Sequence, residues 1–194
     1  MKSVYTFITC IAVLISSLPI LAESKKNSDS GFSNAVILVI RHAEKPDNGI
    51  GLSPAGYKRA EEYVSYFENY MVNDKPVHID ALYAAKDSKS SIRPRLTITP
   101  LSQALNLPVN MPYDEDESQK LAKLLQSNSA DKTILICWHH GQIPDLLKAL
   151  GADPKQLLPE GQWPGKEFGW VIQLCYDKHG QLEPDCTKRI DENL

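Results

Sequence analysis

Residues 35–44 read AVILVIRHAE, an apolar run that passes directly into charge. The first six residues are mostly β-branched and are bounded by polar residues on both sides. Such a run predicts a strand buried on both faces, as in a parallel sheet covered by helices. The charged, Pro- and Gly-containing stretch that follows, through Gly51, predicts a loop.

Two further stretches, residues 79–84 and 133–138, also predict buried strands. Residues 53–70 predict a helix, since they carry an N-cap serine, a first-turn proline and apolar residues at helical spacing. Other helices are predicted around residues 101–105, 119–126 and 144–150, and a terminal strand and hairpin arm at 168–176 and from 181 onwards. This alternation predicts an α/β fold, a three-layer sandwich with a mostly parallel central sheet and helices on both faces.

The overall composition is that of an ordinary globular protein. The chain has 194 residues, 42% of them hydrophobic and 23% charged, with 4 Cys and a formal net charge of -3. These values exclude collagen-like, coiled-coil and wholly disordered classes. The slightly acidic balance argues against a nucleic-acid partner, so any anion-binding site has to be a local cluster of cations.

The N-terminal segment has the pattern of a secretory signal peptide. Lys2 precedes a charge-free apolar run over residues 7–18, and Ala22 offers a cleavage site before a polar stretch. We therefore expect a signal peptide at residues 1–22, a flexible leader at 23–34 and a single domain at 35–194. An uncleaved N-terminal anchor is the alternative, although the run is short for a membrane span. Cleavage predicts a periplasmic or secreted protein with no stable membrane span.

Three cysteines remain after that cleavage, in a compartment that permits disulfides. Cys175 and Cys186 flank a predicted hairpin turn and are able to pair. Cys137 lies in a buried strand, where a free thiol packs as a small hydrophobic side chain. An odd number of cysteines leaves at least one thiol free.

Charged side chains follow each of the three buried strands, where parallel sheets form their ligand crevices. Arg41, His42 and Glu44 follow the first strand, Arg93 and Arg95 follow the second, and His139 and His140 follow the third. Three of the five arginines of the chain thus fall on these segments. The sequence therefore predicts a small cationic site in an acidic chain.

These motifs resemble those of the histidine phosphatase superfamily, also called the phosphoglycerate mutase-like superfamily. Arg41-His42-Ala43-Glu44 is similar to its Arg-His-Ala/Gly-Glu signature, and Leu52-Ser53-Pro54-Ala55-Gly56 with Arg59-Ala60 resembles its first helix start. Arg93, four residues before Thr97, resembles its second arginine motif. His140-Gly141 before residues 143–146 resembles its second histidine motif. The likeness covers about residues 36–150.

The resemblance implies a phosphatase that acts through a phosphohistidine. A neutral imidazole can attack a phosphoryl group, and a covalent intermediate splits one difficult transfer into two easier ones. His42 fits that role. Arg41 and Arg93 would bind the equatorial oxygens in bidentate geometry, and His140 would add a donor. The resemblance implies no metal and no organic cofactor.

Four assignments stay open. Arg95 lies four residues before Thr99 and competes with Arg93, whose spacing to the following helix is preferred. His139 competes with His140, which is preferred because it precedes Gly141. The general acid for the leaving alcohol is sought among Asp114, Glu115 and Asp116, which also suit a solvated helix start. Glu44 is a further catalytic candidate or positions its neighbours.

We therefore expect an exported phosphomonoesterase acting on a phosphorylated small molecule or phosphoprotein. One alternative is a phosphate-ester binding module that retains the pocket without turnover. A metal-dependent hydrolase using His42, His139 and His140 is the weakest, because no recognised ligand spacing is present.

Overall fold

The computed structural model describes residues 31–194, together with Met1. The predicted signal peptide and most of the leader lie outside the described residues. The strands are β1 (Val36–Arg41), β2 (Met71–Val72), β3 (Lys75–Pro76), β4 (Ala81–Ala84), β5 (Val109–Asn110), β6 (Thr133–Trp138), β7 (Trp170–Cys175) and β8 (Lys188–Asp191). The helices are α1 (Pro54–Glu68), α2 (Arg93–Leu105), α3 (Ser118–Gln126), α4 (Ile143–Ala149) and α5 (Pro154–Leu157), with a 3-10 turn at Pro159–Gly161.

Six strands form one sheet in the order β5-β4-β6-β1-β7-β8. The four strands from β5 to β1 are parallel, whereas β7 runs antiparallel to both of its neighbours. β1 is central, and its residues from Ile37 to Arg41 are all buried, as the apolar run at 35–40 predicts. β2 and β3 form a separate hairpin.

Alternate residues of the central strands enter two different cores, because successive strand side chains point to opposite faces. Leu38 and Ile40 pack with Phe67 of α1 and Leu101 of α2. Ile37 and Val39 belong to the other core, to which α3, α4 and α5 contribute. The predicted three-layer α/β sandwich with helices on both faces is confirmed.

The structure differs from the sequence-based prediction at two boundaries. α2 begins at Arg93, two turns before the helix predicted around residues 101–105, so Arg93 and Arg95 lie in its first turn. Pro94 is compatible with this start because a first-turn residue has no intrahelical N–H partner to lose. Phe32 is buried and stacks on Tyr176 with ring centroids 4.6 Å apart, so the folded part includes this residue of the predicted leader.

The three described cysteines behave as the sequence predicts. Cys175 and Cys186 form a disulfide between the end of β7 and the segment before β8. Cys137 is a buried free thiol in β6. Within residues 31–194, no helix combines the length and the apolar character needed to cross a membrane.

Candidate active site

The carboxyl ends of β1 and β6 bring two histidines together. Arg41 pairs with Trp138 at the ends of these parallel strands, and the backbone N–H of His42 donates to the Trp138 carbonyl at 3.0 Å. The next residue after Trp138 is His139, and its ring meets the His42 ring edge-on with centroids 5.1 Å apart. The end of the sheet at which a ligand site is predicted therefore carries an imidazole pair.

His42 is held as a neutral imidazole with one nitrogen free. It is buried, and its Nδ1 lies 2.7 Å from the Ala43 carbonyl oxygen, which can only accept a hydrogen bond. The proton therefore sits on Nδ1, and Nε2 keeps its lone pair. Burial, the largest cause, lowers the pKa of His42 to about 3 together with His139, Arg41 and Arg93, although the hydrogen bond to Ala43 acts in the opposite direction. This is the protonation state that a nucleophilic imidazole requires.

Arg93, and not Arg95, is oriented towards the two histidines. Arg95 is engaged in an ion pair with Asp87 at 2.8 Å. Arg93 donates one hydrogen bond to the Gly49 carbonyl at 3.3 Å, and it is among the groups that lower the pKa of both His42 and His139. The geometry thus favours Arg93 for the second-arginine role.

Arg41 is buried and fastens a strap of chain, which we define as residues 163–168, across the site. Its Nη1 donates to the carbonyls of Gly165 and Glu167 at 2.9 and 2.7 Å, and its guanidinium carbon lies 3.8 Å from the Phe168 ring centroid. The Phe168 ring centroid is also 6.4 Å from that of His42. Part of the Arg41 donor capacity is therefore used within the protein.

Two buried donors at the site have no hydrogen-bond partner among residues 31–194. The Nε atoms of Arg41 and Arg93 make no hydrogen bond within the described part of the chain. Buried polar groups are nearly always paired, so two unpaired guanidinium N–H groups next to a neutral imidazole favour an anion as the missing partner.

The structure places His139, rather than the preferred His140, against His42. His139 is largely buried, and burial, followed by Arg93, His140 and Arg41, lowers its pKa to about 4. His140 is half-buried and lies against Gly165 of the strap, and it forms no ring contact with His42 like that of His139. The preference for His140 rested on its adjacency to Gly141, but the end of β6 determines which side chain points inwards. The geometry therefore favours His139 over His140 for the second-histidine role.

The carboxylate of Glu115 lies beside the His139 ring. Its Oε2 is 3.6 Å from Nδ1 of His139, which is longer than a hydrogen bond, and its backbone carbonyl accepts from the Trp138 indole at 2.9 Å. Partial burial and the charge of Asp116 raise the pKa of Glu115, whereas Arg93 lowers it. Asp114 is exposed and uses its backbone N–H to bind Glu117 at the start of α3. Among the acidic residues considered as the general acid, the geometry favours Glu115 over Asp114.

Glu44 does not contact His42. Its carboxylate is held by Arg59 of α1, with Nη2 2.9 Å from Oε1 and Nε 3.1 and 3.2 Å from the two oxygens. α1 starts close to this residue, because Gly56 leaves no room for a side chain against the Glu44 carbonyl. Of the two roles considered for Glu44, the contacts support positioning and not a direct part in the chemistry.

Two further residues organise the site without having been predicted to do so. The Thr97 hydroxyl accepts from the Ala43 N–H at 2.9 Å and donates to the Arg93 carbonyl at 2.8 Å, which ties the two arginine motifs together. Its spacing from Arg93 was the available sequence signal. Phe168 carries no such signal, since only the tertiary structure places the strap over Arg41.

No group of three or more His, Cys, Asp or Glu among residues 31–194 is arranged to hold a metal ion.

Comparison with known proteins identifies the fold but gives no sequence-level relative. No protein-family model and no curated protein matches the sequence. Among solved structures, the protein histidine phosphatase SixA complexed with tungstate aligns with a TM-score of 0.55 and 14% identity, over 81% of this chain and 97% of that one. A SixA protein of Agrobacterium tumefaciens aligns with a TM-score of 0.51 and 17% identity, over 77% and 95%.

A phosphoserine phosphatase mutant of Entamoeba histolytica, in complex with phosphoserine, has a TM-score of 0.51 and 14% identity over 76% of this chain and 93% of that one. At these identities the comparisons show the fold alone. The chain therefore has the fold of the histidine phosphatase superfamily.

Proposed function

We propose that this protein is an exported phosphatase that hydrolyses phosphomonoesters through a phosphohistidine on His42. The observation that carries the proposal is the state of the His42 ring. Its Nδ1–H is donated to the Ala43 carbonyl, so Nε2 is an unprotonated nucleophile in a buried site. Two guanidinium groups, whose Nε atoms have no hydrogen-bond partner among residues 31–194, provide the positive charge that a phosphoryl group needs.

In the first step, Nε2 of His42 attacks the phosphorus atom in line with the ester oxygen. The N–P bond forms as the P–O bond breaks, and charge on the equatorial oxygens is stabilised by Arg93, by the free N–H groups of Arg41 and by His139. His139 is neutral, so it contributes as a hydrogen-bond donor. Both imidazoles stay uncharged until the phosphoryl group arrives.

Glu115 protonates the leaving alkoxide. A raised pKa suits a carboxyl group that has to carry a proton near neutral pH. In the second step the same carboxylate takes a proton from water, which attacks the phosphohistidine and releases inorganic phosphate. His42 then returns to its starting state, and the overall reaction converts a phosphomonoester and water into an alcohol and phosphate.

Export to the periplasm or the cell exterior is supported by the N-terminal pattern and by the disulfide. Structural disulfides such as Cys175–Cys186 persist in oxidising compartments and are rare in the cytosol. Water is the acceptor available there, which favours hydrolysis over transfer to a second metabolite. Mass spectrometry of the N-terminus of protein recovered outside the cytoplasm tests this part, with cleavage after Ala22 as the expected result.

The test of the chemistry is acid-labile labelling combined with turnover. Purified protein is incubated with radiolabelled phosphomonoesters, including phosphoamino acids and sugar phosphates, then quenched and split into acid and alkaline treatment. We expect label that survives alkali and is lost in acid, together with release of phosphate. His42→Ala should abolish both, whereas His179→Ala, in an exposed turn, should retain both.

Each alternative function has its own outcome. Turnover that persists in His42→Ala contradicts the nucleophile assignment. Loss of wild-type turnover with a chelator indicates metal-dependent hydrolysis. Phosphate-ester affinity that depends on Arg41 and Arg93, without any turnover, indicates a binding module.

A further inference from the structure

The C-terminal strand places a buried carboxylate behind the active-site loop. Glu192, the residue after β8, is buried, and its side chain has no exposed surface. Its Oε2 lies 3.0 Å from Nη1 of Arg59, and its Oε1 accepts a hydrogen bond from the Tyr63 hydroxyl at 2.9 Å. Burying an ionised carboxylate costs desolvation free energy, so the presence of Glu192 at this position requires an explanation.

Arg59 connects Glu192 to the loop that carries His42. The guanidinium uses Nη1 for Glu192 and its Nε and Nη2 for Glu44, so one rigid fork connects the two carboxylates. Glu44 is two residues after His42, and its backbone carbonyl also accepts from Ser53 at the start of α1. The orientation of this loop therefore depends on where Arg59 is held.

Glu192 also touches the other side of the site through its backbone. Its N–H donates to the Gly169 carbonyl at 2.8 Å, and Gly169 directly follows Phe168, which stacks on Arg41. One residue thus fixes both the loop after His42 and the end of the strap over Arg41.

We propose that Glu192 is a positioning residue for the reaction, acting through Arg59 and Glu44 on the loop that carries His42. The inference rests on the proposed phosphatase function. The ionised carboxylate holds the Arg59 fork in place, so loss of its charge loosens the loop without removing any group that touches substrate. Small displacements of a nucleophile reduce the rate of the chemical step more than they reduce binding.

The surroundings of Glu192 make its charge testable. The groups that face it are Arg59, Tyr63, Tyr66 and Tyr70 of α1 and the turn after it, Glu44 of the active-site loop, and Cys137 of β6. Burial raises the pKa of the three tyrosines and of Cys137, so they stay protonated near neutral pH. Burial also raises the pKa of Glu192, to about 7, although Tyr63 and Arg59 lower it.

The experiment compares wild type with Glu192→Gln, which keeps the shape and removes the charge. At pH 8 we expect kcat for an aryl phosphate to fall about ten-fold, with KM within about two-fold. Below pH 6 wild-type Glu192 is protonated and resembles glutamine, so the ratio of the two kcat values should approach one. Taking a ratio cancels the titration of groups common to both proteins.

A matched control and a melting measurement separate positioning from folding. Asp191→Asn makes the same change one residue earlier at an exposed site and should leave kcat unchanged. Because the pKa of Glu192 is raised in the folded state, ionisation of this carboxyl group lowers the free energy of unfolding above pH 7. Glu192→Gln should therefore melt at or above the wild-type temperature. A purely structural carboxylate would instead lower the melting temperature and leave the pH dependence of kcat unchanged.

The outcomes distinguish this inference from the proposed function. An active wild type with a Glu192→Gln variant of equal kcat at all pH values overturns the role of Glu192 alone. A kcat ratio that does not change between pH 8 and pH 5.5 also overturns it. A wild type that hydrolyses no phosphomonoester overturns the proposed function, and this inference with it.

Discussion

Replacing His139 by alanine should reduce phosphatase turnover far more than replacing its neighbour His140. The His139 ring lies against His42 with centroids 5.1 Å apart, and its side chain is 14% exposed. Its loss would remove one preorganised donor from a water-excluded site. Such a donor contributes about 3–4 kcal/mol to the transition state, which corresponds to a loss of roughly 10²–10³ in kcat.

His140→Ala is the matched comparison, because the same truncation is made one residue along. His140 lies outside the imidazole pair and against the strap, so its replacement should change kcat by about two-fold at most. The assay is initial-rate hydrolysis of an aryl phosphate, with thermal melting to verify that both variants are folded. A loss of activity in His140→Ala that exceeds the loss in His139→Ala would refute the assignment drawn from the β6 terminus.

Three other predictions follow from the site and the disulfide. Glu115→Gln should slow hydrolysis of alkyl phosphates by about 10²-fold or more and that of a nitrophenyl phosphate much less, since only a poor leaving group needs a proton; equal losses would contradict the general-acid role. Burial lowers the pKa of His42 from 6.5 to about 3, so the folded state binds fewer protons than the unfolded state and should lose stability as pH falls from 7 to 4. In urea unfolding, the free energy of unfolding of His42→Gln should depend less on pH than that of wild type. Cys186→Ser should reduce the free energy of unfolding by about 2–4 kcal/mol, and a reductant should do the same to wild type but not to the variant.

Most of the sheet could be predicted because its central strands are continuous apolar runs. β1 and β6 are buried on both faces, and their sequences carry no alternation that would suggest an exposed side. The two-residue strands β2, β3 and β5 give no comparable signal, since so short a segment has no measurable periodicity. The helix start at Arg93 was also missed, because charged residues near a proline resemble a loop.

The site could be predicted down to its segments, but not to every side chain. His42 and Arg93 follow from motif and spacing. The choice of His139 over His140 depends on where β6 ends and on the direction of the next side chain. A shift of the strand end by one residue would reverse which of the two histidine side chains faces His42. Glu192 lies 133 residues from Arg59, and no local pattern of the sequence indicates that the two meet.

The order of strands in the sheet has a consequence for how the chain folds. The partners of β1 are β6 and β7, so the first long strand made by the ribosome stays unpaired until residues 133–175 have been synthesised. A topology in which paired strands are far apart in the sequence gives slow folding. During that interval residues 36–40 form an exposed apolar segment whose backbone groups have no strand partner. Such a segment is suited to binding by a chaperone and is prone to self-association in truncated chains.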